Sequence, residues 1–270
     1  MSASTASSPP GATLAELVPD WDAPPQVRAF VTGRRGGTSA GPWGLADGSR
    51  GGLNLGTRCG DDARDVARNR ARLGACLPSP PRWLEQVHGA AVHVATAHRC
   101  GTAIEPRADA AATATPGVVL AVLSADCLPV LLTDTGGQAV AVAHAGWRGL
   151  ALGVLERSVE ALHGLVGPGA QVIAWLGPAI GPRAFEVGED VLRAFCDADP
   201  RCAAAFVPGV RDGKWFADLC HLARICLARV DVHRVGGGGH CTVRDPARFY
   251  SHRRDRGGGR MASLIWLDPA

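Results

Sequence analysis

The amino-acid sequence predicts an α+β protein, a single-domain layered sandwich of mixed sheets and helices. Short apolar runs of strand length, at 118–123, 128–132, 138–143 and 171–176, recur between turn residues. Helical stretches lie among them without the strict strand–helix alternation of a doubly wound parallel fold. No repeat of fixed period and no long linker divides the chain. With 270 residues, 46 % of them hydrophobic and 20 % charged, it can bury a sizeable core.

In chain order, residues 1–11 are rich in Ser, Ala, Thr and Pro and lack the basic start and apolar stretch of a targeting peptide. A disordered tail is therefore expected over 1–25 and a single domain over 26–270. Residues 26–32 form a predicted strand leading into a glycine-rich loop, 32–43, whose arginines Arg34 and Arg35 suit an anion. A helix is expected over 61–77, capped by Asp61 or Asp62 and stopped by Pro78. Its arginines, Arg70 among them, are expected to form a solvated face. Residues 82–87 are expected to pair with 92–95 as a hairpin across Gly89. The stretch 98–116 is Ala/Thr-rich, with Asp109 as its one candidate buried carboxylate and no role assigned. Further helices are expected at 150–166, 189–196 and 215–230, and further strands at 231–235 and 260–267.

Composition excludes several classes. A net charge of +3 is too weak to mark a nucleic-acid surface. No run reaches the ~18 apolar residues of a membrane span. Nine cysteines, an odd number without disulfide rhythm, point to reduced thiols and a cytoplasmic protein.

Chemistry concentrates where apolar runs end. Cys127 follows the first of two neighbouring runs, His144 closes a third, and His88 ends the 82–87 segment. Imidazole and thiolate suit Zn2+, and three protein ligands leave a fourth tetrahedral position open. A structural zinc site would normally show CxxC pairs, and this chain contains none. The set is also consistent with a buried small cysteine and two hydrogen-bonded strand-end histidines. A helix beginning after Trp147-Arg148-Gly149 would aim free N–H groups at an anionic substrate group.

Leu84-Glu85-Gln86-Val87-His88-Gly89, Ala125-Asp126-Cys127-Leu128-Pro129-Val130 and His144-Ala145-Gly146-Trp147-Arg148-Gly149 resemble the three signature blocks of the YfiH-like laccase-domain family. Its members were named polyphenol oxidases and are also described as purine nucleoside phosphorylases. The resemblance spans about residues 27–267. It includes Arg34 in the opening glycine loop, Asn54 in Leu53-Asn54-Leu55-Gly56, and the closing Cys241-Thr242 and Phe249-Tyr250-Ser251-His252-Arg253-Arg254-Asp255. Two departures stand out. Residues 46–52 form a glycine-rich insertion, and Gly258-Gly259-Arg260 replaces the usual Thr-Gly-Arg.

The resemblance implies a mixed α/β sandwich (the YfiH/CNF-like fold) and one zinc on His88, Cys127 and His144, which are also its catalytic residues. It further implies phosphorolysis of adenosine, inosine, guanosine and methylthioadenosine to base and ribose 1-phosphate, with adenosine deamination beside it. Arg34, Arg148, Arg253 and Arg254 are then the candidate anion holders, and Asn54 and Gln86 the candidate polar contacts. Asp126 is a proton carrier or a neighbour that orients Cys127. The expected partners are purine nucleosides and phosphate, acting on a monomer without nucleic acid or membrane.

Other classes remain open. Copper is possible, but no His-x-His pair occurs and the only methionines are Met1 and Met261. A zinc- or cysteine-dependent hydrolase of amide bonds in cell-wall precursors would use the same residues. A non-catalytic metal-binding module would bind zinc without turnover.

Overall fold

Period-two alternation decides the architecture. In the computed structural model, which describes residues 14–96 and 105–269, successive residues of the central strands enter two different cores. The strands are β1 (Ala15–Leu17), β2 (Val27–Thr32), β3 (Arg35–Ser39), β4 (Val92–Val94), β5 (Ala110–Thr113), β6 (Leu120–Ser124), β7 (Leu128–Asp134), β8 (Val140–Ala145), β9 (Val172–Leu176), β10 (Glu186–Gly188), β11 (Phe206–Pro208), β12 (Lys214–Ala217), β13 (Arg234–Gly237) and β14 (Met261–Leu267). The helices are α1 (Ala63–Gly74), α2 (Trp147–Ala151), α3 (Val154–Val166), α4 (Glu189–Cys196), α5 (Leu219–Ala228) and the single turn α6 (His252–Asp255).

Six strands in the order β13-β9-β7-β8-β5-β4 form one sheet, and four in the order β1-β2-β14-β6 form another. On the first sheet, Ala110, Ala112, Val130, Leu132, Ala141, Ala143 and Ala174 face Leu155, Val159 and Leu162 of α3 and Leu219 and Leu222 of α5. Small residues there let the helices lie close. The intervening Ala111, Leu131, Val140, Val142 and Trp175 face Val27, Val31, Leu120, Val122, Ile265 and Leu267 of the second sheet. That sheet turns Phe30, Ala121, Leu264 and Trp266 outward onto Leu53, Leu55 and Leu73. The layers are therefore helix, sheet, sheet, helix, with two sheets stacked face to face in the middle. The mixed-sheet α/β sandwich expected from sequence is the observed fold. A small third sheet, β10-β12-β11, packs beside α4.

Local chemistry explains the boundaries. Asp62 caps α1, its side chain accepting from Arg64 N at 2.7 Å. The helix 189–196 forms as expected, with Val191 and Phe195 buried. The single helix expected over 150–166 is two, because Gly153 takes φ +84° and breaks the turn between α2 and α3. The helix expected over 215–230 begins only at Leu219, behind the Asp218 cap, because Trp215 and Phe216 lie in β12 between β10 and β11. The strand expected at 231–235 is shifted to β13, since Asp231 at φ +62° still belongs to the turn after α5.

The expected hairpin of 82–87 with 92–95 does not form. β4 instead pairs parallel to β5, and residues 82–87 make isolated bridges at Arg82 to Leu120 and at Glu85 to Arg107. Order also begins inside the segment expected as a tail through residue 25. β1 pairs with β2 antiparallel, and Leu17 and Trp21 pack against the core between the sheets. Residues 1–13 lie outside the described residues.

Candidate metal centre

Three turns at one end of the two sheets carry the predicted ligands. Between β6 and β7 the chain reverses through Asp126, at φ +100°, and presents Cys127. β8 delivers His144 at its end, next to Gly146, which starts α2. His88 stands in the turn after Gln86, at φ +60°. Left-handed backbone at two non-glycine residues is costly and survives where surrounding bonds enforce it. Here two carboxylates do so.

Asp109, fully buried just before β5, supplies the first. Its Oδ1 accepts from His88 N at 2.9 Å, and its Oδ2 from Val87 N at 3.1 Å and Gly89 N at 2.7 Å. Oδ1 also meets His144 Nδ1 at 2.9 Å. Asp126 supplies the second. Its Oδ1 accepts from the Thr242 hydroxyl, and its Oδ2 from the Ser251 hydroxyl and from Arg253 N. The Cys127 turn is thereby fastened to the C-terminal loop.

The potential ligand atoms of His88, Cys127 and His144 lie within 4.8 Å of one another, and Cys127 Sγ is 3.9 Å from His88 Nε2. The two imidazoles stand nearly edge to face, 4.9 Å between centroids. Burial alone pushes the Cys127 thiol up, but the charge and hydrogen bonds of His144, with those of His88, outweigh it and bring it down to about 6. Burial likewise pushes His144 down, and Cys127 and Asp109 overcome it to raise the imidazole to about 9. A thiolate beside an imidazole whose Nδ1 is already engaged is a donor set that fits zinc. Gly146 is required by space, since a Cβ there would stand 2.9 Å from Cys127 Sγ and 3.3 Å from His88 Cδ2. No other group of three potential metal ligands occurs among the described residues.

The cluster opens onto a cavity of about 490 Å³, a size suited to a small organic ligand. Leu84, Trp147, Ile180 and Phe185 give it apolar walls, and Arg58, Arg70, Glu105, Arg253 and Arg260 give it charge.

Of the predicted site residues, Gln86, His88, Cys127, His144 and Arg253 line this cavity, whereas Arg34, Asn54, Arg148 and Arg254 do not. Arg34 is buried, donating to Gly44 O at 2.8 Å and pairing with Asp255 at 3.6 Å. Asn54 spends its amide on Asp61, Gly56 N and Arg260 N. Arg254 holds the carbonyls of Thr242 and Phe249. Arg148 is exposed and stacks on Trp147. Gln86 uses both ends of its amide on Leu123, accepting from N and donating to O at 2.8 Å each. Arg253 lies over Phe185, 5.6 Å from the ring centroid.

Residues that sequence reasoning passed over are equally prominent. Arg70, expected in a solvated face, donates to Leu55 O, stacks on Trp83 and pairs with Glu105 at 3.3 Å. Arg58 joins that network through Glu85 and Glu105. Asp109 is legible in the sequence as a candidate buried carboxylate, but nothing in the sequence signals its contact with His144.

Fold and site together define a mixed α/β protein with a two-histidine, one-cysteine cluster set in a ligand-sized cavity. Comparison with known proteins takes this further. The family model described as "Multi-copper polyphenol oxidoreductase laccase" matches residues 28–268, and the chain belongs to that family. A Pseudomonas aeruginosa protein named purine nucleoside phosphorylase PA4543 is 51 % identical over 251 residues, 93 % of this chain and 98 % of that protein. Purine nucleoside phosphorylase YfiH of Escherichia coli K12 is 47 % identical over 253 residues, with the same coverage. The crystal structure of Neisseria meningitidis protein NMB0706 superposes with a TM-score of 0.85 at 47 % identity, covering 94 % of this chain and 99 % of that one. The structure of YlmD from Geobacillus stearothermophilus gives 0.81 at 32 % identity, covering 91 % and 93 %.

Proposed function

We propose that the protein is a zinc-dependent purine nucleoside phosphorylase that also deaminates adenosine. It acts as a cytoplasmic monomer on adenosine, inosine, guanosine and methylthioadenosine, with inorganic phosphate as second substrate. The observation that carries this reading is the opening of the His88, Cys127 and His144 cluster onto a cavity with both aromatic walls and arginines. The names of the curated relatives, purine nucleoside phosphorylases, support the phosphorolysis part of this reading.

In phosphorolysis a phosphate oxygen bonds to C1′ of the ribose while the C1′–N9 bond breaks. The electron pair leaves with the purine, which takes up a proton. Positive charge gathers on the sugar, so the anion must be held close to it. Arg253 and Arg260 are the anion holders in this reading, and Trp147 and Phe185 provide faces for the purine. Zinc on the three ligands supplies Lewis-acid polarisation of the purine when bound. In deamination a water oxygen bonds to C6 as the C6–N bond breaks; one water hydrogen leaves with the 6-amino group as ammonia and the other ends on N1 of the 6-oxopurine. Eight free cysteines among the described residues agree with a reducing compartment.

The test combines metal analysis of the purified protein with chromatography of adenosine and inosine reactions, with and without phosphate. About one zinc per chain and phosphate-dependent hypoxanthine from inosine, both lost in Cys127→Ala, are the expected results. Zinc without turnover of any nucleoside would sink the reaction while leaving the metal site standing.

A second reading is favoured by the lowered Cys127 thiol beside two histidines. It is a metal-free cysteine hydrolase of amide bonds, as in cell-wall precursors. Activity that survives complete chelation would select it.

A further inference from the structure

We propose that Asp109 is the positioning residue of the metal centre: one carboxylate decides which nitrogen His144 offers to the ion and fixes the backbone from which His88 projects. This inference rests on the metal reading above.

The bonding is unusually complete. Four donors converge on two oxygens, namely His144 Nδ1 and three consecutive backbone N–H groups, those of Val87, His88 and Gly89. An ionised carboxylate only accepts, so the neutral His144 ring must carry its proton on Nδ1 and keep the Nε2 lone pair for the metal. Asp109 also accepts at its own carbonyl from His144 N at 2.7 Å, so ring and backbone of His144 are held by the same residue. His88, at φ +60°, is the residue whose N–H lies in the middle of the three. Residues 21 positions upstream and 35 positions downstream are thus set relative to each other by one side chain that never touches the ion. Such outer partners orient a ligand and raise its basicity, and their loss commonly costs about 10- to 100-fold in metal affinity.

Asp109→Asn is the discriminating substitution. It keeps the size and one accepting oxygen, but either orientation of the amide turns an N–H group toward donors. With the amide nitrogen in place of Oδ1, His144 can respond by moving its proton to Nε2, which removes the lone pair from the site. The experiment titrates wild-type and Asp109→Asn proteins with Co2+ against a competing chelator, following the thiolate–cobalt charge-transfer band, with circular dichroism as the check of folding. The expected result is a folded variant with about 10- to 100-fold weaker Co2+ binding and an altered band.

A folded variant that binds Co2+ as tightly as wild type, with the same spectrum, overturns the proposal alone. Wild-type protein that takes up no Co2+ overturns the metal reading and this inference with it. Should the variant not fold, long-range 1H–15N correlation on zinc-loaded wild-type protein decides. A proton on His144 Nδ1 supports the proposal, and coordination through Nδ1 overturns it.

Discussion

Gly146 has no conformational reason to be glycine, since its φ of −66° is open to any residue. Its reason is steric, the 2.9 Å that would separate a Cβ from Cys127 Sγ. Gly146→Ala should leave the fold intact yet push the thiolate out of register, weakening metal binding roughly tenfold or more, as measured by chelator competition. Titration offers a second check at this scale. The thiol of Cys127 is lowered from its ordinary 9 to about 6. Its contribution to stability is therefore fully present above pH 9 and is lost as pH falls through 6. In metal-free protein, thiolate absorbance should rise with a midpoint near 6 and move to higher pH in His144→Ala. Legibility in sequence differs sharply among the residues involved. Cys127 and His144 announce themselves by ending apolar runs, and His88 by its block. Asp109 stands alone in an Ala/Thr stretch, and neither spacing nor composition links it to His144. The arginines mislead for a related reason. Arg34 and Arg254 sit in recognisable motifs but do not line the cavity, whereas Arg70 and Arg260 line it while also holding backbone carbonyls.

Individual elements follow their side-chain patterns closely wherever both faces are buried. β7 and β8 alternate so cleanly that residues one apart belong to different cores. Leu131 is fully buried between the sheets, so Leu131→Ala should cost about 2–5 kcal/mol in denaturant unfolding. Gly153, at φ +84°, separates α2 from α3. Gly153→Ala should destabilise by about 1 kcal/mol or more through strain, with the apo and loaded proteins affected alike. Where sequence reading erred, the competing force is visible. A helical pattern over 215–230 hid two aromatics better satisfied in β12. The expected hairpin at 82–95 ignored that Asp109, absent from both of its strands, draws the backbone of 87–89 toward β5.

Across the whole molecule, fold class was legible because strand-length apolar runs without regular alternation admit few layered solutions. Sheet order was not, since pairings such as β2 with β14 join segments more than two hundred residues apart. That pairing bears on how the protein is made. β14 is no edge strand; it lies between β2 and β6 and hydrogen-bonds to both. Until residue 267 has left the ribosome, β2 and β6 have a gap between them, and Leu120, Val122 and Val31 lack the partner that seals them from water. β14 thus acts as a keystone, and completion of this domain during translation has to wait for it. A chain stopped after residue 259 should accumulate as chaperone-bound or aggregated material, even though it already contains His88, Asp109, Cys127 and His144.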